Sequence, residues 1–282
     1  MLTIPGCKFL IKFFLWTFTV GVPFSVSAQK LPNVQTVSLR APAGAKIDGK
    51  ANDWGDKFQA YNKTTQVYYA MANDDDRLYL IIRTANPNII EKIVKAGITL
   101  TVSASQTKKD KPGVIITFPA RERKDPNFGL ILTNAPAPVN DTIKNRMQAY
   151  SFIHAKNVQL REHLKWIGVK GIQSITDTLI SVYNEEGIKA AFLLDKTLSF
   201  TCELAVPLKY FNFPANTPLT VAYNIRLNSV AATGTNFREI RDGVYVWTGA
   251  DGNNYTAGTG SDAFERIFTT DFWGEYTIAK KP

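Results

Sequence analysis

Residues 47–84 read IDGKANDWGDKFQAYNKTTQVYYAMANDDDRLYLIIRT, and this stretch decides the fold class. It opens on a short Ile47-Asp48-Gly49 edge and passes the pair Asp53-Trp54. Two apolar runs follow, Thr65–Ala72 and Arg77–Thr84, joined by the polar turn Asn73-Asp74-Asp75-Asp76. Leu78, Leu80 and Ile82 fall on one face of the second run, with Tyr79 and Ile81 on the other. Apolar residues on both faces of a β-branched and aromatic run predict a central strand. The stretch therefore predicts the first strands of an all-β antiparallel sandwich. Lys46–Asp48 reads as a short strand and Trp54 as a plug against the core.

Downstream the same periods continue. Asn86–Ala96 has helical spacing, with Ile89, Ile90, Ile93 and Val94 on one side and Gly97 as a stop. Ile98–Ser103 and Val114–Phe118 read as a hairpin around the basic tip Lys108–Lys111. Arg121–Lys165 breaks the pattern with Pro126, Pro136 and Pro138, and it holds both histidines, so it reads as a long inserted loop packed over the sandwich. Strands resume at Ile175–Tyr183, Ile188–Leu194 and Leu198–Val206. Pro207–Phe211 reads as a short helical cap and Asp262–Phe268 as a helical turn or two. In Thr217–Asn228, Leu219, Val221, Tyr223, Ile225 and Leu227 face the core, while Ala222, Asn224, Arg226 and Asn228 face away. Phe272–Ala279 closes the sheet.

Upstream lies a targeting signal. Lys8 and Lys12 form a positive region, Phe13–Val22 an apolar core, and Ser25-Val26-Ser27-Ala28 a small-residue cleavage site. Residues 1–28 are expected to be removed, leaving an extended lead-in at 29–45 and one sandwich domain at 46–282 with its insertion at about 121–165. This points to a periplasmic or secreted protein with no stable membrane span after cleavage. The mature chain keeps only Cys202, so it forms no intrachain disulfide. Alternation puts Cys202 on the face of Leu198, Phe200, Leu204 and Val206, where a thiol is buried and inert. The formal charge is +9, and +7 once Lys8 and Lys12 are gone. The cations are scattered, which argues against nucleic acid as a partner but is compatible with acidic glycans.

Catalytic patterns are missing: the chain has no G-x-S-x-G elbow, no H-E-x-x-H and no phosphate-binding Gly-Lys-Ser/Thr. His154 and His163 lie nine residues apart with no cysteine between them, which is not a zinc spacing. Glu185 and Glu186 sit in a turn and Glu203 on an outward face, so no glycosidase pair is indicated. Asp74–Asp76 offers oxygen ligands to a structural calcium ion, but no further carboxylate stands at a useful spacing, and a polar turn is the preferred reading. The best binding surface combines Asn224, Arg226 and Asn228 on one strand with Trp247, Asn253, Asn254 and Tyr255 in the Gly/Asn-rich stretch that follows. Aromatic rings stack on the apolar face of a sugar, while amides and guanidinium groups hydrogen-bond its hydroxyls. The alternative is that Trp247 and Tyr255 merely pack their own loop.

These segments together resemble the family 9 carbohydrate-binding modules and the related DOMON-like sandwiches. The resemblance rests on Ile47-Asp48-Gly49 with Trp54, Arg77–Leu80, Tyr223–Asn228, Val246–Thr248 with Asn253–Tyr255, and Phe272–Tyr276. It implies a jelly-roll-like β-sandwich that binds oligo- or polysaccharides without catalysis, with structural calcium in some members. The family's sugar clamp uses two aromatic rings. Asn253-Asn254-Tyr255 resembles the loop supplying one, whereas Asn86–Ala96 has no aromatic where the other stands. An envelope protein-interaction module that has lost the sugar site is therefore the alternative, and a glycan hydrolase using Arg121–Lys165 the third. Some DOMON-like relatives hold haem through Met and His. Met71 matches, but no His stands at a matching place, so no haem is expected.

Overall fold

The computed structural model describes residues 30–103, 113–120, 132, 135–137, 139–211, 213, 219–229, 238–241, 243–248, 254–258 and 267–281. The signal segment, the Lys108–Lys111 tip and Asn253 lie outside the described residues, as does most of Asp262–Phe268. In chain order the strands are β1 (Ala60–Asn62), β2 (Val67–Asn73), β3 (Arg77–Thr84), β4 (Ile98–Ser103), β5 (Val114–Ala120), β6 (Trp166–Lys170) and β7 (Leu179–Ser181). They continue with β8 (Lys189–Leu194), β9 (Phe200–Pro207), β10 (Thr220–Leu227), β11 (Arg238–Arg241), β12 (Val244–Thr248), β13 (Asn254–Gly258) and β14 (Thr270–Thr277). The helices are α1 (Pro87–Ala96) and α2 (Thr142–His163).

A five-stranded sheet runs β1-β2-β3-β9-β8 and a six-stranded sheet runs β14-β10-β4-β5-β6-β7. A small third sheet runs β11-β12-β13. The pairings are antiparallel throughout, so the chain is an all-β sandwich as its alternation predicts. Met71, Leu80 and Leu204 from the first sheet pack with Leu100, Val221 and Ile225 from the second in one core. Helix α1 adds Ile89, Ile90, Ile93 and Val94 to that core. It begins where Asn86 caps the Asn88 N–H and stops at Gly97, whose positive φ and close approach to the Pro119 carbonyl leave no room for a side chain.

The outer face of the first sheet is covered as well. Tyr79, Ile81, Ala70, Ala72 and Ala205 pack under Ala51 and Trp54, flanked by Ile47 and by Leu39, Ala41 and Ala45 of the lead-in. This is why β3 carries apolar residues on both faces. Trp54 is indeed a structural plug, seated on the outer face rather than between the sheets. Lys46–Asp48 is not a strand: the backbone N–H groups of Asp48 and Gly49 are turned onto the Glu203 carboxylate instead of a neighbouring chain. Glu203 is on the outward face of β9, but it is buried there and also accepts from Trp54 Nε1 at 2.7 Å.

The segment at 121–165 differs most from its sequence reading. It includes the 22-residue helix α2, so over Thr142–His163 it is not a loop. No apolar stripe marks this helix, because it touches the sheet only near its C-terminal end, through Asn157, Leu160 and Leu164. The strand expected at Ile175–Tyr183 is confined to Leu179–Ser181. No helix among the described residues is long and apolar enough to cross a membrane.

Candidate functional site

Asp141 caps α2 by accepting the Lys144 N–H at 2.9 Å. Asn145 reaches back to Val139, donating from Nδ2 at 2.6 Å and accepting its N–H at 2.7 Å. At the other end the Asn157 amide donates to Leu194 O at 2.8 Å and accepts the Leu194 N–H at 2.9 Å. The side chain thus stands in for a further strand at the β8 edge. Leu160 and Leu164 bury beside it. The earlier turns of α2 stand off the sheet and leave a cleft of about 1090 Å³ between the helix, Gly49–Asn52 and Asp195–Thr197.

The cleft is basic. Its lining carries Lys50, Arg83, Arg146, Arg161 and Lys196 against the carboxylates of Asp56 and Asp195. Both carboxylates are taken by one cation: Arg83 donates to Asp56 at 2.9 Å and to Asp195 at 2.5 Å. Burial alone would raise the Asp195 carboxyl, but hydrogen bonds from Thr197 and the Ser199 N–H, with the Arg83 charge, hold it below the usual range. Lys50 pairs with Asp48 at 3.0 Å. Arg146, Arg161 and Lys196 have no carboxylate within 4.0 Å among the described residues. Beside them Tyr150 is 72% exposed and lies nearly parallel to the His154 ring, with centroids 6.1 Å apart. The arrangement offers an open aromatic face, the His154 ring and three unneutralised cations to one ligand.

The residues singled out from sequence are not gathered in this way. Asn224 is 1% exposed, and its amide donates to Asp271 Oδ2 at 2.7 Å and Phe272 O at 2.9 Å. Alternation placed it correctly on the outer face of β10, but its donors are spent within the sheet. Asn228 donates to Ala96 O at 3.0 Å and shares a hydrogen bond with Thr99. Arg226 is exposed. Trp247 is half-buried on β12, as the Cα partner of Tyr255 on β13, and Thr248 donates to Asn254 Oδ1 at 2.9 Å. Of that set, Arg226 and Asn254 are exposed and Asn228 and Trp247 are half-buried, while Asn224 is enclosed.

Several other sequence candidates resolve into structure. Asp74 accepts the N–H groups of Asp76 and Arg77 and the Tyr79 hydroxyl at 2.6 Å, while Asp75 pairs with Arg40, so this is a hydrogen-bonded turn. Among the described residues no three His, Cys, Asp or Glu side chains cluster as a metal site. Met71 is enclosed between the sheets with its N–H on Gln35 Oε1. Cys202 is buried, and its thiol is pushed well above the ordinary value. His154 and His163 lie on α2, both exposed. The cleft residues Arg146, Tyr150 and Arg161 had one sequence signal, an Asp141 cap before a run without Gly or Pro from Thr142 to Leu164. Scanned against protein-family models the chain matches none, and no curated protein aligns with it.

Proposed function

We propose that this chain is a non-catalytic, exported carbohydrate-binding module and that it takes an acidic saccharide in the cleft beneath α2. The observation that carries the reading is the set Arg146, Arg161 and Lys196, which line the cleft without carboxylate partners among the described residues, beside the exposed Tyr150 ring. A uronate or sulfate group would complete their charge, and the tyrosine face would take the pyranose ring. The resemblance of Ile47-Asp48-Gly49 with Trp54, of Arg77–Leu80 and of Tyr223–Asn228 to carbohydrate-binding sandwiches supports the same class of ligand. Titration calorimetry with uronate-bearing and neutral oligosaccharides tests it. The acidic sugar should bind, the R146A/R161A variant should lose roughly tenfold or more in affinity, and added salt should weaken binding. Equal binding of the neutral sugar, or indifference to R146A/R161A, would refute the site.

A protein-interaction module of the cell envelope is the second reading. It is favoured by Ile143 and Met147, which α2 holds 72% and 66% exposed. Under this reading all saccharides fail, and I143S/M147S abolishes capture of a stable protein partner.

A further inference from the structure

We infer that the edge of β14, which pairs on its outer side with no strand among the described residues, is a strand-addition site for an extended, lysine- or arginine-bearing segment of a partner protein. Ile278 donates its N–H to Leu219 O at 2.8 Å, so the main chain at this position faces the β10 side. Alternation turns Tyr276, Gly274 and Phe272 the same way and aims the N–H and C=O of Trp273, Glu275 and Thr277 outward. Among the described residues these outward groups have no main-chain or side-chain partner.

At three edge positions a side-chain amide caps the outward main chain. The Gln35 amide accepts the Met71 N–H at 2.7 Å and donates to Met71 O at 2.9 Å. Asn157 does the same for Leu194. Asn73 does it for Ala279, just past β14, accepting its N–H at 2.8 Å and donating to its carbonyl at 3.0 Å. Over Gly274–Thr277 the edge instead borders a groove of about 490 Å³, walled on its far side by Gln35–Ser38. Unpaired edges of this kind recruit strands.

Charge selects the occupant. The exposed Glu275 and the half-buried Asp271 share the outer face of β14. A second copy in antiparallel pairing would gather two Asp271–Glu275 sets on one strip, which opposes self-association. A strand with cations at alternate positions places them beside these carboxylates.

The test uses the full chain and a ten-residue peptide alternating Lys and Val, with an alternating Glu and Val peptide and a copy of the Lys peptide N-methylated on alternate amides. The Lys peptide should bind and slow hydrogen exchange at the Trp273, Glu275 and Thr277 amides by roughly tenfold or more. The N-methylated copy should fail, and Glu275→Lys should shift preference toward the Glu peptide. The inference is overturned if these amides exchange unchanged at saturating Lys peptide, or if the N-methylated copy binds equally. It is also overturned if protection grows with protein concentration alone, which would mean that a second copy fills the edge.

Discussion

Glu203 shows how one residue ties the opening stretch to the sheet. Its carboxylate receives the Trp54 indole N–H at 2.7 Å, the Gly49 N–H at 2.7 Å and the Asp48 N–H at 2.9 Å. Gly49 has φ +82, and a side chain there would run into the Phe192 backbone. Burial pushes the Glu203 carboxyl above its ordinary 4.5, although these hydrogen bonds pull the other way. The native state thus keeps the proton at pH values where the unfolded chain has lost it. The contribution of this group to stability accordingly falls as pH rises above about 4.5. Trp54→Phe keeps the ring against Tyr79 but removes one donor to the carboxylate. It should cost about 1–3 kcal/mol. With that hydrogen bond gone the folded pKa rises further, so the deficit should grow between pH 4.5 and 7. Denaturant titrations across that range check it, and a deficit that shrinks with pH would contradict the assignment. Alternation alone placed Glu203 outward and could not show the burial. The period of a strand tells which face a residue joins but not what lies over that face.

At the scale of elements, α1 and α2 mark what a sequence can and cannot disclose. Helix α1 was legible because Ile89, Ile90, Ile93 and Val94 form one buried stripe between an Asn86 cap and a Gly97 stop. Helix α2 had a cap but no stripe, since only its later turns meet the sandwich. The candidate site depended on the same distinction, because Arg146, Tyr150 and Arg161 share a cleft only if residues 142–163 are helical. The hinge of that arrangement is Asn157. Asn157→Ala strands the Leu194 N–H and C=O at the β8 edge and should destabilise the protein by about 1–3 kcal/mol. Asn157→Asp keeps an acceptor for the Leu194 N–H but sets a buried carboxylate oxygen against the Leu194 carbonyl, so it should cost at least as much as the alanine. Exchange of the Leu194 amide reads the effect directly. It should quicken in N157A well before global unfolding, and unchanged exchange would show that α2 is held by Leu160 and Leu164 alone.

Across the whole molecule, buried tyrosine hydroxyls join the two sheets and the lead-in, Tyr276 at Leu39 and Asn73 and Tyr69 at Gln35 and Tyr223. Tyr69 on β2 and Tyr223 on β10 share a hydrogen bond of 2.9 Å across the core, and the Gln35 N–H donates to the Tyr69 hydroxyl at 2.8 Å. Gly274 on β14 leaves the space that the Tyr223 ring fills. Tyr223→Phe removes one hydroxyl and leaves Tyr69 still bonded to Gln35. Tyr69→Phe strands both the Tyr223 hydroxyl and the Gln35 N–H, so it should cost more, by about 1–3 kcal/mol for the additional buried group left unpaired. The same hydroxyls set the alkaline limit of the fold. Burial raises the Tyr69 and Tyr223 hydroxyls above the ordinary 10.0, and it raises Tyr276 to about 12. Above about pH 10 the unfolded chain has released these protons while the native state still holds them. Stability must then fall as pH rises through the folded values, with phenolate absorbance appearing together with the loss of sheet structure. Tyr223→Phe removes one of the three and should make the decline shallower. An alkaline transition equally steep in Tyr223→Phe would mean that the inter-sheet tyrosines do not govern it.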